Sequence, residues 1–66
     1  MTTVPEYTEV RLLVDVERDG GGVVPAGTVG TVVDAVHAPD QYAVDVVVDG
    51  EYDNVVVGGE QIEAVR

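Results

Sequence analysis

The chain carries one histidine, His37, with Asp34 and Asp40 three residues to either side of it. An imidazole beside a carboxylate is a candidate general base or metal ligand, because its pKa lies near neutrality. The rest of a catalytic set is missing. There is no Ser and no Cys, so Ser-His-Asp and Cys-His arrangements are impossible, and a lone histidine in a turn reads as an exposed one. Carboxylate pairs at Asp15 and Glu17, and at Asp49 and Glu51, have the chemistry to hold a divalent cation. Calcium sites draw about six to eight oxygens from a dedicated loop, and neither pair sits in one, so both read as solvated acidic faces. The glycine-rich stretch from Gly20 to Gly30 has the composition of a phosphate loop. Such loops open a helix, whereas β-branched residues follow here, and the chain has no Lys to meet a phosphate. The expectation is a protein without catalytic residues, metal or cofactor.

Apolar residues flanked by charge are the other candidates. Leu13 shares the parity of Arg11, Asp15 and Glu17, and Val47 shares that of Asp45. An outward aliphatic ringed by carboxylates suits docking of a basic protein, and it equally suits an ordinary surface hydrophobic or a homodimer contact. Leu13, Asp15, Glu17, Asp45 and Val47 are therefore the candidate partner-binding residues. Recognition of proline-rich peptides wants an aromatic groove, and the chain offers only Tyr7, Tyr42 and Tyr52, of which Tyr42 suits the core.

Positioning these residues falls to one small domain. Sixty-six residues hide only about 60% of the surface the unfolded chain exposes, so every core position counts. Eighteen of the residues are Val and none is Phe or Trp, a composition that favours pleated sheet. Absence of Cys removes disulfides and thiolate zinc sites. Thirteen Asp and Glu face three Arg, for a formal charge of −10. Nucleic acid is disfavoured as a partner, since its binding draws on Lys and Arg displacing counterions. Such charge fits either solubility in a salty cytoplasm or attraction to a basic partner. Residues 1–7 lack the basic and apolar regions of a secretory signal, and acidic residues interrupt every valine run, so a cytoplasmic protein without a membrane span is expected.

Period-two alternation predicts a strand over Glu9–Glu17, with Val10, Leu12, Val14 and Val16 inward. Gly20-Gly21-Gly22 opens a loop, and Pro25-Ala26-Gly27 predicts a type II turn with proline at its first corner. The next strand, Thr28–Val36, contains Gly30, read as a bulge or a close backbone approach where the strand bends. After a connection at residues 37–41, Tyr42, Val44, Val46 and Val48 alternate inward, and Asp49-Gly50 predicts a type I′ hairpin returning through Glu51–Val57. Gly58–Gln61 is a turn or a single 3₁₀ turn before a short strand at Ile62–Val65.

The segment Val24-Pro25-Ala26-Gly27-Thr28-Val29-Gly30-Thr31-Val32-Val33, with Tyr42-Ala43-Val44-Asp45-Val46 and Asp49-Gly50, resembles the DUF4926 family of small bacterial proteins. The resemblance spans about Val10 to Val65. Val46 stands where that family usually has Phe, and Ala43 where Glu is common. It implies an SH3-like barrel. Some members look like partners of adjacent small toxins, which implies an antitoxin or immunity role, and the motif carries no catalytic residues.

The combined expectation is an all-β, single, small five-stranded SH3-like barrel over residues 1–66, with residues 1–6 as an N-terminal tail. Its expected core is Val10, Leu12, Val14, Val16, Val29, Tyr42, Val44, Val46, Val48 and Ile62. The expected role is non-catalytic binding of a basic, toxin-like protein. The alternatives are a structural or assembly module of a larger complex and, ranked below it, a KOW-like domain associated with nucleic acid; a homodimer is left open beside these.

Overall fold

A computed structural model describes residues 4–18 and 20–65 of the chain; Met1, Thr2, Thr3, Asp19 and Arg66 lie outside the described residues. The described chain is all-β. Seven strands form among the described residues: β1 (Glu9–Leu12), β2 (Val16–Glu17), β3 (Val23–Val24), β4 (Val29–Asp34), β5 (Tyr42–Val48), β6 (Glu51–Val57) and β7 (Ile62–Ala64). A 3₁₀ turn, Gly59–Gln61, precedes β7. The main sheet is antiparallel in the order β6-β5-β4-β1-β7, and β2 pairs with β3 in a second, two-stranded sheet. Among the described residues no pairing joins β6 to β7, so the hydrogen-bonded ladder is open at both ends. Among the described residues no helix is long and apolar enough to cross a membrane.

The expected strand over Glu9–Glu17 breaks after Leu12. The Leu12 N–H donates to the Thr28 carbonyl (2.9 Å), and its carbonyl accepts from Gly27 N–H (2.7 Å). Leu13 N–H then turns to the Gln61 carbonyl (2.8 Å), and Asp15 Oδ1 accepts from Ala26 N–H (2.8 Å). The Leu12–Thr28 and Leu13–Gln61 bonds extend the β1–β4 and β1–β7 registers by one last rung each, whereas Gly27 N–H takes the Leu12 carbonyl in place of Thr28 N–H, which ends the ladder and releases the chain into β2. The bend leaves Val14 exposed, 39% of it open to solvent, instead of in the core, while Val16 beyond it is still partly inward.

The turn after β3 lies one residue further along than the proline implied. Thr28 N–H bonds to the Pro25 carbonyl (3.2 Å), and Gly27 takes φ of +92°, so Ala26 and Gly27 are its corners and Pro25 precedes them. Asp49 (φ +52°) and Gly50 (φ +81°) form the expected type I′ turn, and Val48 pairs with Glu51 across it. The Gly58 to Gln61 turn is closed by Gln61 Oε1, which accepts from Gly58 N–H (2.7 Å).

Gly30 is a close approach. It pairs with Val46 on one side and Val10 on the other, and a Cβ there would strike the Asp45 carbonyl oxygen and, at 2.8 Å, the Cγ1 atoms of Val44 and Val46. The register irregularity of β4 falls between Val32 and Asp34 and so sits at Val33. That extra residue takes Val33 out of the alternation of β4, whereas Val29 and Val32 lie on opposite faces ahead of it.

Val10, Leu12, Val24, Val32, Tyr42, Val44, Val46, Val55, Val57 and Ile62 make the core. Of the expected members, Val16 and Val48 are only partly buried against it, and Val29 faces outward with 41% of it exposed. Val29 carries the parity opposite to Gly30 and Val32, so glycine occupies the inward position that Val29 was expected to fill. Val24, Val32, Val55 and Val57 complete the core instead. The Tyr42 hydroxyl accepts from Val4 N–H (3.0 Å), which ties the segment before β1 to the middle of the sheet.

Replacing Gly30 with Ala is expected to cost about 1–3 kcal/mol, because a backbone carbonyl and two packed valines must all shift. Gly20→Ala meets open space at a φ outside the positive range and serves as the control. Urea unfolding of both variants measures the difference, and equal midpoints would refute the close approach.

Candidate functional site

His37 and Asp34 do come together. They line an open hollow of about 130 Å³ with Gln41, Tyr42, Ala43 and Val56. One Asp34 oxygen is already engaged, since Oδ1 accepts from Val36 N–H (2.8 Å) and fixes the turn that follows β4. Tyr42 is buried with its hydroxyl occupied by Val4 N–H. Asp40 sits at the far end of the turn, where its N–H bonds to the His37 carbonyl (3.0 Å). The hollow thus presents an imidazole, one carboxylate and one amide on apolar walls. Among the described residues no group of three His, Cys, Asp or Glu side chains is placed to hold a metal ion.

The five candidate docking residues fall on three elements. Leu13 and Asp15 lie in the bend between β1 and β2, and Glu17 lies in β2 of the small sheet. Leu13 is 46% exposed, but it does not continue an outward strand face through Asp15 to Glu17, because the strand has ended. Asp15 also holds the turn at Ala26 through Oδ1, a structural task absent from the sequence pattern.

Asp45 and Val47 lie on the outer face of the main sheet. Asp45 stands between Thr31 and Asn54, and its Oδ1 accepts from Asn54 Nδ2 (2.9 Å). Val47 pairs with Tyr52 and, by the register of Gly30 with Val46, stands in line with Val29 on β4. Val29, Val47 and Tyr52 therefore form an apolar row across three strands, with Val47 51% and Tyr52 84% exposed. Val56 is exposed beside Ala43 on the same face, next to the His37 hollow. Val29, Tyr52 and Val56 were not singled out in the sequence. Strand parity marks Tyr52 and Val56 once β6 is set in register with β5, whereas Val29 requires knowing that Gly30 faces inward.

Charge is distributed unevenly around these residues. Arg11 Nη1 meets Glu63 Oε2 at 3.0 Å between β1 and β7, a half-exposed pair of the kind that adds little stability. Arg18 Nε meets Asp53 Oδ2 at 2.7 Å and links the loop after β2 to β6, across the divide between the two sheets. Both described arginines are thereby paired, and the remaining described carboxylates have no arginine or histidine in salt-bridge contact. The hydrogen bond from Arg18, reinforced by one from Asn54 N–H, holds the Asp53 carboxyl below the usual aspartate range. The same bond to Asp53 raises the Arg18 guanidinium further above its ordinary value, against the opposing effect of burial.

Compared with family models, with curated proteins and with solved structures, the chain shows no match.

Asp53 supplies a pH test. Its folded pKa lies below the unfolded value of about 3.9, so its contribution is complete above that pH and is lost as pH falls through the folded value. The stability gap between the protein and Asp53→Asn is expected to be constant from pH 7 to about 5 and to narrow below about 3.9. Urea midpoints measured across that range check it, and a gap that widens in acid would show that the pair with Arg18 does not stabilise the fold.

Proposed function

We propose that this protein is a non-catalytic, SH3-like binding module of the DUF4926 kind that neutralises a basic protein by covering its active surface. The role is that of a cytoplasmic antitoxin or immunity protein. One observation carries the proposal: a chain of formal charge −10, with both described arginines already paired, keeps Leu13, Val47 and Tyr52 in solvent beside free carboxylates. Burying these apolar residues in a complex recovers hydrophobic free energy that the isolated protein leaves unused.

Charge and apolar surface divide the labour. Net negative charge steers a positive surface toward the protein, and an apolar anchor freed of water holds the complex afterwards. Leu13 is the anchor, with Asp15 and Glu17 near it in the chain and Asp45 and Val47 on the neighbouring sheet face. The SH3-like assignment is supported by the antiparallel order of the main sheet, the β2–β3 hairpin joined to β6 through Arg18, and the 3₁₀ turn before the last strand. A second reading, a structural module of a larger assembly, is favoured by the open β6 edge of the sheet.

The test uses the basic protein that co-purifies with the tagged chain, with binding followed as a function of salt. Asp15→Asn with Glu17→Gln is expected to slow association and flatten its salt dependence, and the Asn retains the oxygen that holds Ala26 N–H. Leu13→Asp is expected to shorten residence time by a factor corresponding to about 2 kcal/mol. If Leu13→Asp and Val47→Asp both fold and both dissociate at the original rate, the binding face lies elsewhere and the proposal fails.

A further inference from the structure

The two ends of the main sheet are protected very differently. At one end β7 is three residues long and carries Glu63, held by Arg11. At the other end β6 runs for seven residues without proline or bulge, and its two carboxylates, Glu51 and Asp53, are confined to the half next to the hairpin turn. Short, charged edges resist pairing with other chains, and long regular ones invite it. Around a two-residue type I′ turn the closing pair, here Val48 and Glu51, is a hydrogen-bonded one. Alternation then directs the N–H and C=O groups of Glu51, Asp53, Val55 and Val57 toward β5. Those of Tyr52, Asn54 and Val56 point away from the sheet. Among the described residues no backbone group meets them, and only Asn54 N–H has a partner, the Oδ1 of Asp53 at 2.8 Å.

We infer that the β6 edge is a self-association surface, on which a second copy of this chain pairs antiparallel about a two-fold axis at Asn54. Chain geometry and charge select this register. Groups pointing outward must face groups pointing outward, so Tyr52, Asn54 and Val56 must oppose one another across the axis. Centred on Asn54, Tyr52 faces Val56 of the second copy and Asn54 faces Asn54. On the opposite side of the strands Asp53 faces Val55 and Glu51 faces Val57. All seven residues of β6 are used, two aromatic–aliphatic pairs form on the outer face, and no carboxylate stands directly opposite another. Centring the axis on Asp53 places Asp53 against Asp53, and centring it on Tyr52 places Glu51 against Asp53. Centring it on Val55 sets Tyr52 against Gly58 and removes both aromatic pairs. The Asn54 N–H exchanges its bond with Asp53 for one to the facing Asn54 carbonyl, and Asp53 keeps Arg18 through Oδ2.

This surface shares Tyr52 with the binding role proposed above but does not rest on that reading, and salt separates the two. Two copies of charge −10 repel, so pairing strengthens as the Debye length falls from about 10 Å at 0.1 M to about 3 Å at 1 M. Attraction to a basic protein weakens over the same range. A single strand edge is also a small interface, which places association at about 10 µM to 1 mM.

Sedimentation equilibrium of the full chain from about 10 µM to 1 mM, in about 0.1 M and 1 M KCl, tests the inference. The expected mass rises from 6.9 kDa toward twice that value, more so at high salt. Val56→Glu, at an exposed position, is expected to weaken pairing about tenfold. Register is read by cysteine oxidation, which the absence of native Cys makes clean. Asn54→Cys places two thiols across the axis at the roughly 5.5 Å Cα spacing of a hydrogen-bonded pair, within disulfide reach. Tyr52→Cys places them four residues apart, about 13 Å, and beyond reach. A monomer at 1 mM in 1 M KCl, association that weakens with salt, an unchanged Val56→Glu dimer, or cross-linking of Tyr52→Cys as fast as Asn54→Cys would each overturn the inference. Circular dichroism of each variant confirms that it is folded.

Discussion

The contact on which the rest of the fold depends is the approach of β4 to β5 at Gly30. With no side chain at that inward position, Val44 and Val46 of β5 occupy the space a Cβ would take. A core made almost wholly of valine has few long side chains with which to bridge gaps, so backbones must come close instead. Once Gly30 takes the inward face, Val32 follows it inward and Val29 is turned out. The apolar row with Val47 and Tyr52 is thus a consequence of core packing as much as a surface feature. The same choice carries Val10 onto Gly30 from the other side, so β1 and β5 both bear on one residue.

Legibility of the fold followed the strength of local signals. In β5 the alternation from Tyr42 to Val48 is unbroken, and Asp49-Gly50 sets the register of β6 without ambiguity, so this half of the sheet was visible in the sequence. The first half was not, because Val10 to Val16 alternates as though a single strand ran through it. What ends β1 is the Gly27 N–H bond to the Leu12 carbonyl and the Ala26 N–H bond to Asp15, partners distant in the chain that no local periodicity reports. Val55 and Val57 were missed for a different reason. They share a parity with Glu51 and Asp53, so the inward face of β6 changes from charged to apolar midway along the strand. The Arg18 contact resolves that mixture by giving Asp53 a partner at the rim of the core.

The candidate surface was legible only where it lies on regular strands. Asp45 and Val47 keep the outward parity expected of them, while Leu13 keeps its exposure but loses the face it was expected to share with Asp15 and Glu17. Asp15, Asp34 and Asp53 each spend an oxygen on a backbone N–H. Acidic residues in this chain are therefore more than a diffuse negative field. Two of these, Asp15 and Asp34, fix turns, a use of aspartate that stems from its short acceptor side chain.

Asp53 joins the two themes of charge and edge. Its Oδ2 reaches inward to Arg18 and fastens the loop after β2 to β6, while its Oδ1 occupies the outward N–H of Asn54. One carboxylate therefore reports on the closure of the small sheet over the core and on the state of the sheet edge. Protonating or removing it weakens the first contact and frees the second. Stability and the edge meet in this residue: removing the carboxylate withdraws both oxygens at once, and leaves the Asn54 N–H at the exposed centre of β6 to water or to a further strand.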